Sequence, residues 1–266
     1  MSMKFRGYWL KVGGVLLIGW LLIYPVTLAQ EPVTPTHAMQ VANKEYEAGN
    51  YAEAAAIYEA ILESGLAHSA VYYNLGNAYF KQGDLGRAIL NYRRAQSLNP
   101  RDSDIAVNLS IARAQTVDKL EAPANEGLAN LVQLAEEWLT LSEAMLLALV
   151  LWLLIGGLAI AALLRPALRR WCSLGIGLLG IFLLAGVISM VNRSYREQNY
   201  PAAVIVAESI DVTSGPGTSE QYLVEFTLHA GAEVSLIESR AGWQRLSLPG
   251  DLQGWVPETA VEQVKG

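Results

Sequence analysis

The sequence predicts a multi-domain protein: an all-α repeat array, a two-helix transmembrane hairpin and a small all-β barrel, in that order. A set of residues recurs 34 positions apart in the N-terminal half, two uncharged apolar runs follow, and short alternating segments occupy the C-terminal part. Of the 266 residues, 52% are hydrophobic and 17% charged. A typical soluble domain has about 25% charged residues. The deficit indicates membrane segments.

Residues 1–29 are predicted to be a signal peptide or an N-terminal anchor. Basic residues precede an apolar run that ends in Thr27-Leu28-Ala29. A basic start, an apolar centre and small residues near the end are typical of a secretory signal peptide, cleaved here after Ala29, while the length of the run also fits an uncleaved anchor. Residues 30–37 are rich in proline and threonine, which predicts a linker.

The 34-residue period predicts helix–turn–helix units within residues 38–121. Small residues would let paired helices approach, glycines would form the turn between them, and tyrosines would fill the space that is left. In the second unit we predict helices over 70–81 and 85–97, ended by Asn99-Pro100 because proline cannot continue a helix. The recurring residues are Ala42, Gly49, Ala54 and Tyr58, which return as Gly76, Gly83, Ala88 and Tyr92.

A third helix is predicted over 104–120, with Asp102 or Ser103 as its N-terminal cap. Its apolar residues are spaced to cover the open end of the stack. These residues are Ile105, Leu109, Ala112 and Val117.

The second unit, SAVYYNLGNAYFKQGDLGRAILNYRRAQSLNP, resembles a tetratricopeptide repeat. The first unit departs from that family, with Glu45 where an aromatic is usual and Leu66 in place of the proline. The resemblance implies an all-α solenoid that binds peptides or proteins. Because about three repeats are normally needed for stability, this short array is expected to lean on the membrane hairpin or on a partner.

In this family the first helix of each repeat lines the concave face. Asn43, Asn74 and Asn108 match the asparagines of the chaperone-binding carboxylate clamp, but Met39 and Asp104 occupy two of its basic positions. Such a groove could hold a peptide backbone, though not a terminal carboxylate with high affinity. The same side chains could instead be packing and capping residues. The predicted protein-binding residues are Asn43, Tyr46, Tyr73, Asn74, Asn77, Phe80, Lys81 and Asn108.

Residues 126–140 are predicted to form an amphipathic interfacial helix, because apolar residues recur there at the spacing of one helix face while Glu136 and Glu137 lie on the other. Next to an apolar run, such a helix fits the membrane interface, in contact with lipid and with Trp138 at headgroup level. A further cap on the repeat array is the alternative.

Residues 141–164 and 171–191 are predicted to be transmembrane helices, joined by a loop over 165–170. Each contains a run of about 21 uncharged residues, enough to cross a hydrocarbon core of ~30 Å. Arginines in the loop favour the cytoplasmic side. Both soluble parts would then lie on the periplasmic face of a bacterial inner membrane. Small residues would let the helices pack closely, in the pairs Gly157 with Ala161 and Ser173 with Gly177.

Alternating β-branched and polar residues broken by turns predict a small barrel over 203–264. The succession DVTSGPGTSE, LHAGAEVSLIE, AGWQRLSL and GDLQGWVPETAVE resembles the bacterial SH3-like domain, although Thr213 stands where that family usually has arginine. Trp243 and Trp255 are interpreted as barrel core or, alternatively, as a ligand platform. The tyrosine set of eukaryotic SH3 domains is not recognisable, so PxxP binding is not expected.

No catalytic, cofactor-binding or metal residue is predicted. The sequence has no nucleotide-binding glycine loop, no His–Glu metal spacing and no Gly-x-Ser-x-Gly elbow. The single cysteine, Cys172, excludes an internal disulfide and any multi-cysteine metal site. A formal net charge of -6 argues against a nucleic-acid partner. These observations favour a non-enzymatic protein.

The order of parts resembles the E-type proteins of the Bat (Bacteroides aerotolerance) group. That resemblance implies a bacterial membrane scaffold working beside von Willebrand A-domain membrane proteins and a MoxR-type ATPase. We therefore predict an adaptor whose repeat groove binds protein. In the alternative, the barrel binds peptidoglycan and the protein is a cell-wall tether of the envelope.

Overall fold

The computed structural model describes residues 35–119, 139–250 and 252–265. The predicted signal peptide or anchor over 1–29 lies outside these residues, as does the predicted amphipathic helix over 126–140 except for its last two residues. Leu139 and Thr140 are not helical. The last three residues of the predicted linker are helical, because helix α1 begins at Pro35. Proline is favoured in the first turn, where a missing N–H costs no hydrogen bond.

Five helices lie between residues 35 and 119 and form what we call the helical array. In the second unit, both helices agree with the predicted bounds to within one residue. The helices are α1 Pro35–Glu47, α2 Tyr51–Glu63, α3 Ser69–Gln82, α4 Leu85–Leu98 and α5 Ser103–Gln115.

The residues of the 34-residue repeat have the predicted packing roles. Gly49 and Gly83 lie in the turns with φ of +85° and +84°, a conformation that favours glycine. Tyr58 and Tyr92 are each 1% exposed. A Cβ atom on Gly76 would lie 2.7 Å from Cδ1 of Tyr92, so only glycine allows this close packing of α3 against α4. The helix-pairing prediction is therefore confirmed.

Helix α5 ends at Gln115, five residues earlier than predicted, and the prediction that Val117 covers the array is wrong. Val117 is exposed. The helix stops because Thr116 takes an extended conformation, and its hydroxyl donates to the carbonyl oxygens of Arg113 and Asp118. The other predicted features hold, since Asp102 caps the helix through the amides of Asp104 and Ile105. The predicted covering residues Ile105, Leu109 and Ala112 are buried.

Two long apolar helices follow, α6 (Leu141–Leu164) and α7 (Arg169–Asn199), joined by a 3-10 turn at Pro166–Leu168. The stretches Leu141–Leu164 and Pro166–Asn199 have mean hydropathies of 2.7 and 2.5, and their most apolar windows are not buried within the structure. Both are long and apolar enough to cross a membrane. We call this pair the apolar hairpin.

The prediction that Gly157 and Gly177 lie in the helix–helix contact is wrong, since a Cβ on either would meet nothing within 4 Å. A Cβ on Gly175 would instead lie 3.1 Å from Cδ1 of Leu158. Six half-buried residues of α6 recur at alternating spacings of four and three, as in a coiled coil. They are Ala144, Ala148, Leu151, Ile155, Leu158 and Ala162, and Glu143, Ala159 and Ala161 are half-buried as well.

The C-terminal part is a seven-stranded antiparallel sheet with the order β3-β2-β6-β5-β4-β1-β7. Ala241 (φ 50°) and Gly242 (φ 80°) form the tight turn between β4 and β5. Trp255 is buried, as the core interpretation expects, and Trp243 is half-buried. The strands are β1 Ala202–Ile205, β2 Ser209–Thr213, β3 Val224–His229, β4 Glu233–Arg240, β5 Trp243–Ser247, β6 Gln253–Pro257 and β7 Val261–Gln263.

The C-terminal sheet docks on α4 and α5 of the helical array. Ala203 and Ile205 of β1 belong to the core of the sheet, whereas Val204 points the other way, into a cluster with Ile89, Leu90 and Leu109. The backbones also meet, because a Cβ on Gly86 would lie 2.7 Å from the carbonyl oxygen of Ile205. The short array is therefore packed against the sheet, a contact that the sequence did not predict.

Charged groups border this apolar contact. The Glu233 carboxylate accepts two hydrogen bonds from Arg113, at 2.5 and 2.9 Å, and lies 3.0 Å from Nε of Arg93. Asp118 accepts the backbone N–H of His229 at 2.7 Å. Arg94 donates to the carbonyl oxygens of Gln263 and Val264. The array and the sheet are thus joined by an apolar centre with a paired polar rim.

Candidate protein-binding site

A cluster of three side chains joins the first unit to the second. Oδ1 of Asn43 accepts the hydroxyl of Tyr58 at 2.6 Å and the amide of Asn74 at 3.2 Å. These residues come from α1, α2 and α3, so one oxygen atom connects three helices. With that oxygen occupied, the side-chain NH2 of Asn43 is left to face other groups.

The same cluster recurs 34 positions later. Oδ1 of Asn77 accepts the hydroxyl of Tyr92 at 2.8 Å and the amide of Asn108 at 2.8 Å. Asn108 also donates to the hydroxyl of Tyr73 at 3.0 Å. The asparagines and tyrosines therefore form a ladder along the first helices of the units, with one rung between α1 and α3 and the next between α3 and α5.

A cavity of about 220 Å³ opens beside this ladder in the first unit. Its wall carries amide, phenol and carboxylate groups, a mixture suited to hydrogen bonding with a peptide backbone. Tyr46 contributes a ring that packs edge-to-face on Tyr51, with 5.2 Å between centroids. The lining residues are Asn43, Tyr46, Glu47, Tyr58, Asn74 and Asn77.

Tyr58 and Tyr92 remain neutral hydrogen-bond donors at ordinary pH. Burial is the main cause that raises the pKa of Tyr58 to about 12, with the nearby Tyr46 and Glu47 adding to the rise. The pKa of Tyr92 is also raised, again chiefly by burial. Both hydroxyls can therefore donate steadily to Asn43 and Asn77.

The structure brings together some of the predicted binding residues and separates others. Asn43, Tyr46, Asn74 and Asn77 line the cavity. Tyr73 and Phe80 instead pack partly against the cluster beneath α4 and α5, while Asn108 closes the second rung of the ladder. Lys81 is exposed and lies outside the cavity lining.

Sequence reasoning missed Tyr58 and Glu47 as cavity residues. The tyrosine was interpreted only as packing, although its 34-residue recurrence with Tyr92 parallels that of Asn43 with Asn77. Nothing in the sequence singles out Glu47, because it is one of several glutamates in the first unit.

A second cavity, of about 310 Å³, lies where the sheet meets α4. Arg94 is its only residue from the helical array, and its guanidinium is held by carbonyl oxygens of Gln263 and Val264. Within the described ranges, no group of three or more His, Cys, Asp and Glu side chains could hold a metal ion.

The family model of the tetratricopeptide repeat matches residues 69–102, which comprise α3, α4 and the turn after them. This confirms the repeat predicted for the second unit. The family is non-catalytic, and the match implies a role in protein–protein interaction. A comparison with curated proteins gave no match.

We expect a double-mutant cycle to show how the ladder is built. Asn43→Ala leaves the buried hydroxyl of Tyr58 without its acceptor, which should destabilise α1 and α2 by ~1–3 kcal/mol. Adding Tyr58→Phe removes the unpaired hydroxyl and should recover part of that loss. Amide hydrogen exchange of α1 and α2 in the full chain measures both changes.

The second rung offers a matched pair, Asn77→Ala and Tyr92→Phe, which should behave in the same way in α3 and α4. If the loss in free energy of unfolding of the double variant equals the sum of the losses of the two single variants, the hydrogen bond between hydroxyl and amide does not stabilise the ladder.

Proposed function

We propose that the protein is a non-enzymatic membrane scaffold that holds an extended segment of a partner protein in the groove beside the asparagine ladder. The observation that carries this proposal is the ladder itself, in which the amide oxygens of Asn43 and Asn77 are occupied within the array. Asn43 and Asn77 are thereby held with NH2 groups at the cavity wall. Such prearranged donors bind a peptide backbone without first losing conformational freedom.

We further propose that the apolar hairpin crosses a bacterial inner membrane and that the array and the sheet lie together on its periplasmic face. Support comes from contacts at one end of the hairpin. Glu143 of α6 pairs with Arg101 of the array at 2.5 Å, and Glu197 of α7 pairs with Lys265 at 2.9 Å. Arg165, Arg169 and Arg170, which flank or follow the turn between α6 and α7, lie at the other end.

We propose that the sheet is of the bacterial SH3-like type. The first and last strands, β1 and β7, are neighbours, β2 and β3 form a hairpin, and a 3-10 turn at Glu258–Ala260 immediately precedes β7. These features support the resemblance seen in the sequence. By the same resemblance, the partners would be von Willebrand A-domain membrane proteins and a MoxR-type ATPase of a Bat-type complex.

A cell-wall tether remains a second candidate, in which the sheet binds peptidoglycan. One observation favours it: large apolar side chains on the loops of the sheet are exposed, including Leu223 at 70% and Leu252 at 50%. Leu223 is followed directly by Val224, which is also exposed, and a contiguous exposed apolar patch can mark a binding surface.

The groove is tested with the full chain in lipid nanodiscs and a random peptide library whose termini are blocked. Tyr46→Ala with Asn74→Ala removes two cavity-wall groups, and Asn43 keeps its bond from Tyr58. We expect peptide retention to fall about tenfold or more. The matched control, Tyr72→Ala with Asn50→Ala, changes the same residue types outside the cavity and should retain peptides.

Sedimentation with isolated peptidoglycan sacculi tests the second candidate. The adaptor proposal fails, and the sheet is the binding module, if three results are obtained together. The chain sediments with sacculi, Leu223→Ser with Leu252→Ser abolishes this sedimentation, and the cavity variant retains as many peptides as the unaltered chain.

The membrane arrangement is tested by labelling single cysteines with an impermeant maleimide in a Cys172→Ser background. Ser219→Cys in the β2–β3 loop should react in cells with an intact inner membrane. Ala167→Cys, between Arg165 and Arg169, should react only after that membrane is opened. The reverse pattern would contradict the proposed orientation.

A further inference from the structure

We propose that the groove selects partner segments that carry an arginine or lysine side chain, bound in the cavity beside Glu47. This inference rests on the proposed peptide-binding function and specifies the chemistry of the ligand. It concerns the charge of the cavity wall, which no tetratricopeptide match determines.

The two units carry opposite charges. Residues 35–66 contain one lysine and five glutamates, a formal net charge of -4, whereas residues 69–102 contain five basic and two acidic residues, a net charge of +3. A ligand in the cavity would meet charge of a single sign only if either the acidic residues of the first unit or the basic residues of the second were paired within the protein.

Four of the five basic residues of the second unit are occupied in this way, and the fifth, Lys81, is exposed outside the cavity lining. Arg87 pairs with Asp84, Arg93 with Glu233, and Arg101 with Glu143. Arg94 donates to carbonyl oxygens of the sheet. These cations hold the array to itself, to the sheet and to the apolar hairpin, so they do not offer positive charge to the cavity.

Glu47 has a different position. It is exposed, it lines the cavity, and within the described part of the chain it has no hydrogen-bond or ion-pair partner. Among the described residues of that lining it is also the only charged one. Two other glutamates of the unit are occupied, since Glu45 accepts a hydrogen bond from Asn50 and Glu59 accepts one from Tyr79.

The rest of the cavity wall suits a cation. Tyr46, which is half-buried, contributes an aromatic side chain to the same lining, and such a ring attracts ammonium and guanidinium groups. Amide groups of Asn43 and Asn74 can bind the neighbouring peptide backbone. A terminal carboxylate would be repelled by Glu47, which reverses the charge preference of a carboxylate clamp.

Selection from a random peptide library with blocked termini tests this inference, with the full chain held in nanodiscs. Arginine and lysine should be several-fold more frequent in the retained peptides than in the library. Glu47→Gln, which keeps the shape and removes the charge, should return both to the library frequency. Glu63→Gln makes the same charge change at an exposed position outside the cavity and should leave the enrichment intact.

A retained peptide then provides a second measurement. Replacing its arginine by neutral citrulline should weaken binding to the unaltered chain about three- to tenfold and have little effect on Glu47→Gln. Since Glu47 is exposed, the thermal unfolding of Glu47→Gln should match that of the unaltered chain.

The outcomes separate this inference from the proposed function. If peptides are retained through the cavity but basic residues are not enriched, or if the enrichment survives Glu47→Gln, the inference is wrong and the peptide-binding function stands. If the cavity variant Tyr46→Ala with Asn74→Ala retains as many peptides as the unaltered chain, both fail.

Discussion

Helix α4 is packed on two opposite sides, and the arrangement of the array and the sheet depends on this. One side holds Ala88 and Tyr92, and the ring of Tyr92 lies against Gly76 of α3. The other side brings Gly86 against the backbone of β1. Five consecutive residues, 88–92, are buried. A helix that is buried all round belongs to a core rather than to the edge of an array. The sheet supplies the second half of that core, which the helices of the array alone would lack.

This packing has a consequence for the candidate site. The sheet packs on one side of α4, and α3 packs on the opposite side. The position of α3 therefore depends on the sheet, and α3 contributes Asn74 and Asn77 to the ladder. Arg93 and Arg94 of α4 are bound to the sheet, and Arg87 is paired with Asp84, so none of these cations balances the negative charge of Glu47 at the cavity. One interface thus stabilises a short array, orients its amide donors and determines the charge that a ligand meets.

The sequence predicted local features well and distant contacts poorly. The 34-residue period predicted α3 and α4 to within one residue, since small residues, turn glycines and buried tyrosines act within one unit. Contacts such as Arg94 with Gln263 join residues far apart in the chain and leave no periodic signal. In the apolar hairpin nearly every residue is hydrophobic, so composition could not distinguish the inner face at Gly175 from the outer face at Gly157. In the groove, the family register placed Phe80 on the binding face, whereas it packs partly beneath α4 and α5.

The most direct test of this account is Gly86→Ala in the full chain, followed by hydrogen exchange. Alanine improves the helix propensity of α4 by ~1 kcal/mol, but its Cβ would lie 2.7 Å from the carbonyl oxygen of Ile205. We predict faster exchange in α3, α4 and β1, and no such change for Gly157→Ala, whose added Cβ meets nothing within 4 Å. Unchanged or slower exchange in α3 and α4 would mean that packing against the sheet does not stabilise the array.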